Sequence, residues 1–149
     1  MNPLTQDFRS LYKRDLDRLI DNLQSTSDEQ LWKSPEGISN SCGVLAQHIV
    51  DNLEHYINHG IGQTDYVRQR DREFTDTHRS KEKLISDIEQ LKETLSAVFN
   101  AIEDNQLTQD FPVDIPFEAS NHKFLLHLYG HLNYHLGQLN YLHRMLAAG

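Results

Sequence analysis

Apolar residues along this chain recur mostly at three- to four-residue intervals, the period of one buried helix face. From about Asn2 to Gln24 the stripe is Leu4, Phe8, Leu11, Leu16, Ile20 and Leu23, and Ser25-Thr26-Ser27 ends it. Thr26 or Ser27 is placed to cap a short turn holding Leu31 and Trp32. Pro35, Gly37 and Ser39 then mark a loop. A second helix is predicted from near Ser41 to Gly60 or Gly62, both good stop residues. Its stripe is Val44, Leu45, His48, Ile49, Asn52, Leu53, Tyr56 and Ile57. His48 and Asn52 put polar groups on an apolar face, so both call for buried partners. A third helix follows from about Ser80 to Glu103, with Leu84, Ile88, Leu91, Leu95, Val98 and Ile102. The fourth runs from about His122 to Leu146 and carries Leu125, Leu128, Leu132, Leu136, Leu139, Leu142 and Leu146. Gly130 and Gly137 weaken it by up to ~1 kcal/mol each relative to Ala, unless they serve to let a neighbouring helix approach.

Two connections break the helical rhythm. Gln63 to Arg79 is polar, and loops longer than ~12–15 residues are often functional. Its basic residues and those just after it (Arg68, Arg70, Arg72, Arg79, Lys81, Lys83) interleave with Asp71, Glu73, Asp76 and Glu82. That mixture reads as a solvated loop and helix start. Asn105 to Asn121 contains Pro112 and Pro116, and Phe111, Val113, Ile115 and Phe117 alternate there, which predicts a short strand or strap. Four long helices without a convincing sheet predict an all-α four-helix bundle, a single domain over residues 1–149 with long second-to-third and third-to-fourth connections.

Composition narrows the function classes. The net charge of −8 argues against nucleic acid as a partner, because phosphate binding needs clustered Lys and Arg. Cys42 is the only cysteine, so no internal disulfide is expected. The first residues lack a basic segment followed by an apolar one, and no apolar run approaches the ~18 residues of a membrane span. A cytoplasmic protein with no membrane partner is the expectation. Cys42 sits near a helix start, where the dipole lowers a thiol pKa, but a small core cysteine is the preferred reading.

The chemistry lies in the histidines, of which there are 9. Random placement gives roughly half a pair at spacing four. This chain has His55/His59, His127/His131 and His131/His135. Residues four apart lie one above the other on a helix, with Cβ atoms about 5–6 Å apart, so two imidazoles there can grip one ion. His48, on a different apolar stripe, is a candidate third ligand. The blander alternative is a set of half-buried histidines satisfied by hydrogen bonds. His55 and His59 fall near a helix end, where a favourable charge interaction explains them. His78, His122 and His143 read as surface or helix-end residues. No Glu follows His131, so the zinc-protease motif is missing.

Three segments together resemble the DinB/YfiT-like superfamily of four-helix metalloenzymes. Gly43-Val-Leu-Ala-Gln-His48-Ile-Val-Asp51 is similar to that family's apolar helix with one His and an acidic residue three later. His131-Leu-Asn-Tyr-His135-Leu-Gly137-Gln138 is similar to its His-x-x-x-His-x-Gly/Arg-Gln motif. Gln69-Arg70-Asp71-Arg72-Glu73-Phe74 resembles an Arg-rich acidic loop of an uncharacterised bacterial branch. The resemblance implies that His48, His131 and His135 bind a divalent metal, with nickel or zinc expected first and iron or manganese next. His127 is the competitor for the place of His135. It further implies a small-molecule substrate, with a low-molecular-weight thiol of the bacillithiol or mycothiol kind as one candidate. A metal-dependent hydrolase or thiol-dependent S-transferase is then the expected activity, and a homodimer the expected assembly. The alternative is a non-catalytic metal-binding or structural bundle. Asp51, Asn52, Glu54, Tyr134 and Gln138 are the candidates, by helical proximity, to hold the ligand rings from behind.

Overall fold

The computed structural model describes residues 2–148. The helices are α1 (Pro3–Gln24), α2 (Asp28–Leu31), α3 (Cys42–Leu53), α4 (Arg70–Glu73), α5 (Lys81–Ala101) and α6 (Asn121–Ala148). Four of the starts follow from local side-chain chemistry. Asn2, Ser27, Ser41 and Ser80 accept hydrogen bonds from the backbone N–H groups of Leu4, Gln30, Val44 and Lys83, which the first turns of α1, α2, α3 and α5 leave without partners.

The four long helices form a closed ring: α1 packs on α5 and α6, and α3 packs on the same two. Leu16, Leu19, Leu23, Ile49, Leu53, Leu84, Ile88, Leu91, Leu125, Leu132 and Leu139 fill the space between them. The all-α four-helix bundle expected from periodicity is therefore what forms. The stripe on α1 sits slightly off the predicted one: Tyr12, Asp15 and Leu19 are buried, while Leu11 stays at the boundary. Among the described residues, no helix is long and apolar enough to cross a membrane.

Four expectations need correction or narrowing. The second predicted helix is not uniform, because α3 passes at Glu54 into a π-helical segment, Glu54–Ile61. Gly62 closes it with φ −80°, a right-handed value. A Cβ on Gly62 would meet the Asn58 carbonyl oxygen and Val98 Cγ2, both at 2.6 Å, so closeness rather than dihedral freedom requires glycine. Gly130 and Gly137 let nothing approach: no atom lies within 4 Å of a Cβ built on either. Between α5 and α6 a 3₁₀ turn, Asp104–Gln106, leads into a strap: of the predicted strand or strap no strand forms among the described residues, only one isolated bridge, Asp110 to Ser120. Finally, the polar 63–79 connection is not simply solvated. It contains α4, and Arg68 and Glu73 point inward.

Candidate metal centre

α3 and α6 face each other along their apolar stripes, and this brings His48 up against His131 and His135. One ring nitrogen from each of the three lies within 4.8 Å of the others. His131 Nε2 is 3.2 Å from His48 Nε2 and 3.1 Å from His135 Nε2. An ion ~2.0–2.1 Å from each nitrogen sets neighbours roughly 2.9 Å apart at right angles and about 3.3 Å apart at tetrahedral angles. Both spacings to His131 fall between these values, and the three donors together lie within 4.8 Å, a set that could hold a metal ion.

The outer nitrogens decide which way the rings present their lone pairs. His48 Nδ1 lies 2.8 Å from Glu73 Oε2. Glu73 is fully buried and is also gripped by Arg68, through Nε to Oε1 and through a guanidinium nitrogen 3.0 Å from Oε2. Burial alone would raise the Glu73 pKa, but hydrogen bonds from His48 and Arg68 outweigh it and hold the group below its ordinary value. A carboxylate only accepts, so His48 Nδ1 must donate. His135 Nδ1 donates likewise to Gln138 Oε1, at 2.8 Å. In their neutral forms both rings therefore turn bare Nε2 lone pairs toward His131. Burial, then the neighbouring His135 and His48, push the His131 pKa down to about 4. His135 is lowered too, by burial that overrides its bond to Gln138. Neutral imidazoles are the metal-binding form.

A polar clamp fixes the loop behind His48. The Gln47 side-chain amide donates to the carbonyls of Glu73 and Asp76, each at 2.9 Å, and to that of Arg72 at 3.4 Å. Phe74, next to Glu73, lays its ring 4.9 Å from that of His48. The Arg68 guanidinium also stands over the Tyr56 ring, 5.7 Å from its centre.

The other candidates take different places. His127 stays outside the cluster, exposed, with its ring against Phe117 and Phe124. Of the five residues expected to support the ligands, Gln138 does so. Asp51 instead bonds Tyr66 and lies 3.7 Å from Arg79. Buried Asn52 leaves its Oδ1 without a partner. Tyr134 touches His135 only ring to ring, with centres 5.2 Å apart. Glu54 bonds none of the three rings, and burial raises its pKa. Cys42 is fully buried, and desolvation lifts its pKa to about 11, which makes it a core thiol. Sequence reasoning missed Glu73 as the partner of His48 and Arg68 as the partner of Glu73. The available signal was Glu73-Phe74, an acid beside an apolar residue in an otherwise polar loop, together with the unmet need for a partner at His48.

The family model described as "Protein of unknown function (DUF1572)" matches residues 1–149. The chain belongs to that family. Three solved structures share the fold. A DinB-like protein of Bacillus cereus superposes with a TM-score of 0.77 at 21% identity, covering 95% of this chain and 92% of that one. A DinB-like protein of Bacillus subtilis, YjoA, gives 0.71 at 16% identity with the same coverages, 95% and 92%. A conserved protein of Enterococcus faecalis gives 0.78 at 16% identity over 100% of both chains. No curated protein matches the chain. The chain therefore has the DinB-like fold that the resemblance implied, and at these identities the structures speak for the fold alone.

Proposed function

We propose that His48, His131 and His135 bind one divalent metal ion, zinc or nickel first and iron or manganese next. We further propose that the protein is an enzyme acting on a small molecule, as a hydrolase or a thiol-dependent transferase. The observation that carries this reading is the convergence of three Nε2 atoms with two of the rings anchored through Nδ1. Unrelieved lone pairs facing one another repel, and a cation removes that repulsion. Three neutral imidazoles leave coordination positions open for water or substrate. When bound, the ion supplies Lewis acidity, polarising a carbonyl or stabilising a thiolate or hydroxide.

The chain's own groups set the ligand geometry. Glu73 and Gln138 hold the proton at Nδ1 of His48 and His135 and so fix which nitrogen faces inward. Phe74 limits rotation of the His48 ring and shields the Glu73–His48 bond from water on that side.

The test begins with tag-free protein, because a poly-His tag delivers nickel to any open site. Elemental analysis should give close to one divalent ion per chain. Zinc or nickel added to stripped protein should raise the melting temperature, since a ligand at 100 times its Kd adds ~2.7 kcal/mol of stability. His48→Ala, His131→Ala and His135→Ala should each abolish that rise. Stripped protein that neither binds nor responds to either metal would remove the proposal. A panel of thiol and ester substrates then addresses turnover; stoichiometric metal without any turnover would leave binding and remove catalysis. The homodimer expected from the resemblance belongs to the same proposal, and sedimentation at micromolar concentration checks it.

A further inference from the structure

One groove contains none of the three histidines but shares Gln138 with the groups that support them. It has a volume of about 360 Å³, within the ~300–1,000 Å³ range of small-molecule sites. Ile38, Leu45, Gln138, Tyr141, Leu142 and Met145 supply its walls, and the rest of its lining is uncharged. In a chain with 36 charged Lys, Arg, Asp and Glu residues (14 basic and 22 acidic) that absence is selective. The nearest cation, Arg144, stands 5.9 Å from the Tyr141 ring centre but does not line the groove.

The groove joins the cluster through two helices. Gln138 is a wall residue and also the acceptor for His135 Nδ1. Leu45 lies three residues before His48, on the same side of α3. From Gln138 to Met145 the α6 wall spans about 10 Å at 1.5 Å per residue. The segments flanking the groove are packed and bonded: a Cβ on Gly43, two residues before Leu45, would sit 2.6 Å from the Trp32 ring, and Gln30 Nε2 donates to the carbonyl of Leu146, the residue after Met145, at 2.8 Å. Other cavities suit an apolar molecule less well. Those at Arg18 and Asp21, at Asp110 and Glu118, and at Asp51 and Arg72 are lined by charges. The uncharged one at Ile61 and Val98 shares no residue with the cluster or with the groups bonded to it.

We propose that this groove receives the uncharged apolar body of the substrate, whose metal-binding head lies at the three histidines, with Gln138 at the junction. The inference rests on the proposed metal centre and adds the substrate class: an amphipathic small molecule with a carbonyl, hydroxamate-like or thiol head and an apolar tail of up to ~10 Å. Because Gln138 Oε1 is engaged by His135, its amide nitrogen is the group left to donate to a polar atom between head and tail. Tyr141 and Met145 are 68% and 61% exposed and Ile38 is 47% exposed, so apolar surface lies open that a bound tail would cover.

The experiment titrates zinc-loaded protein with n-alkyl hydroxamates from acetohydroxamate to octanohydroxamate. Affinity should rise about fourfold for each added CH₂ until the groove is full, the gain expected for burying a methylene. In Ile38→Ser/Met145→Gln, the ratio of octano- to acetohydroxamate affinity should fall at least tenfold. Both sites are exposed, and circular dichroism confirms that the variant folds. A flat series on protein that binds acetohydroxamate would overturn the groove while leaving the metal centre intact. If stripped protein takes up no zinc, the metal-centre reading fails; in that case, or if zinc-loaded protein does not bind acetohydroxamate, a second probe is used. Methyl shifts of Ile38, Leu142 and Met145 on adding n-hexanol then decide the groove: shifts confined to these methyls retain it, and their absence removes it. A wild-type dimer that becomes monomeric in the variant, with a flat series, would identify the occupant as a second copy of the chain and overturn the proposal.

Discussion

Glu73→Gln isolates what one carboxylate does for the cluster. The amide keeps the shape of the side chain and an oxygen to accept from His48 Nδ1, but it removes the negative charge. Two consequences can be separated. First, a charge-assisted hydrogen bond becomes a neutral one of about half the strength, and loss of such a ligand-orienting partner typically costs 10–100-fold in metal affinity. Retaining an acceptor puts the expected loss near the lower bound, about tenfold in zinc affinity. Second, Arg68, only 7% exposed at its side chain, loses its counter-charge. Breaking a buried pair from one side costs about 3–5 kcal/mol. The Tyr56 ring under the guanidinium offsets part of that, on the order of 1 kcal/mol. A net loss of roughly 2–4 kcal/mol in the metal-free protein follows.

Competition titration with a zinc chelator reads the first quantity, and urea unfolding of stripped protein reads the second. Arg68→Met/Glu73→Gln separates them further. With no stranded cation it should recover much of the stability while zinc affinity stays low. Zinc affinity within twofold of wild type in Glu73→Gln would refute the orienting role of Glu73. Unchanged stability in that variant would show that Arg68 finds water instead.

Three further outcomes are expected. Asp15 is fully buried and accepts from Arg14, Arg18, Tyr129 and Asn133. Burial raises its pKa, but the bonds from Arg14, Tyr129 and Asn133 together lower it. A depressed carboxylate contributes stability that is complete above its unfolded pKa of about 3.9 and is lost as pH falls through the lower folded value. Asp15→Asn should therefore cost about 1–3 kcal/mol at pH 7, and in urea unfolding the difference from wild type should narrow below about pH 4. Gly62→Ala should destabilise by about 1–3 kcal/mol through its clashes with Asn58 and Val98. Gly130→Ala, exposed and unobstructed in mid-helix, should stabilise by up to ~1 kcal/mol; thermal melts showing the same sign for both would contradict the packing described. His127→Ala should leave zinc affinity within a factor of two, and a tenfold loss would show that His127 takes part in the cluster.

The parts of this protein legible in its sequence are those governed by a short period. The leucine stripe of α6 and the mixed stripe of α3 specify both helices and the faces they bury. Once those faces meet, His48 must approach His131 and His135. The supporting groups were legible only where they shared a helix with a ligand, as Gln138 does with His135. Glu73 lies 25 residues from His48, and its place depends on how an irregular connection folds back, which no periodicity encodes. The charges around it made the loop look solvated, because composition does not say which member of a run turns inward. Alternation at Phe111–Phe117 allowed a strand or a strap, and a strap formed for a related reason. Alternation only states that every second residue is covered, and here Phe111 packs on Phe124 and Tyr56 without a neighbouring strand to pair with.

Adjacent residues on α3 tie the loop and the cluster together in both directions. Gln47 holds the loop by its carbonyls, and the loop holds His48 by its carboxylate. Neither clamp is complete alone. Gln47 donates to backbone groups that are in place only when α4 is wound, and Glu73 reaches His48 only while those carbonyls are held. Any ion that stiffens the His48 ring must therefore stiffen residues 68–76 as well, and loosening that loop must weaken the ion. This reciprocity follows from linkage and needs no movement of the bundle. It gives Arg68 and Glu73 a physical reason to stand together in this loop. Arg68 keeps Glu73 charged inside the protein, and a charged Glu73 keeps the proton of His48 on the nitrogen that faces away from the other two rings.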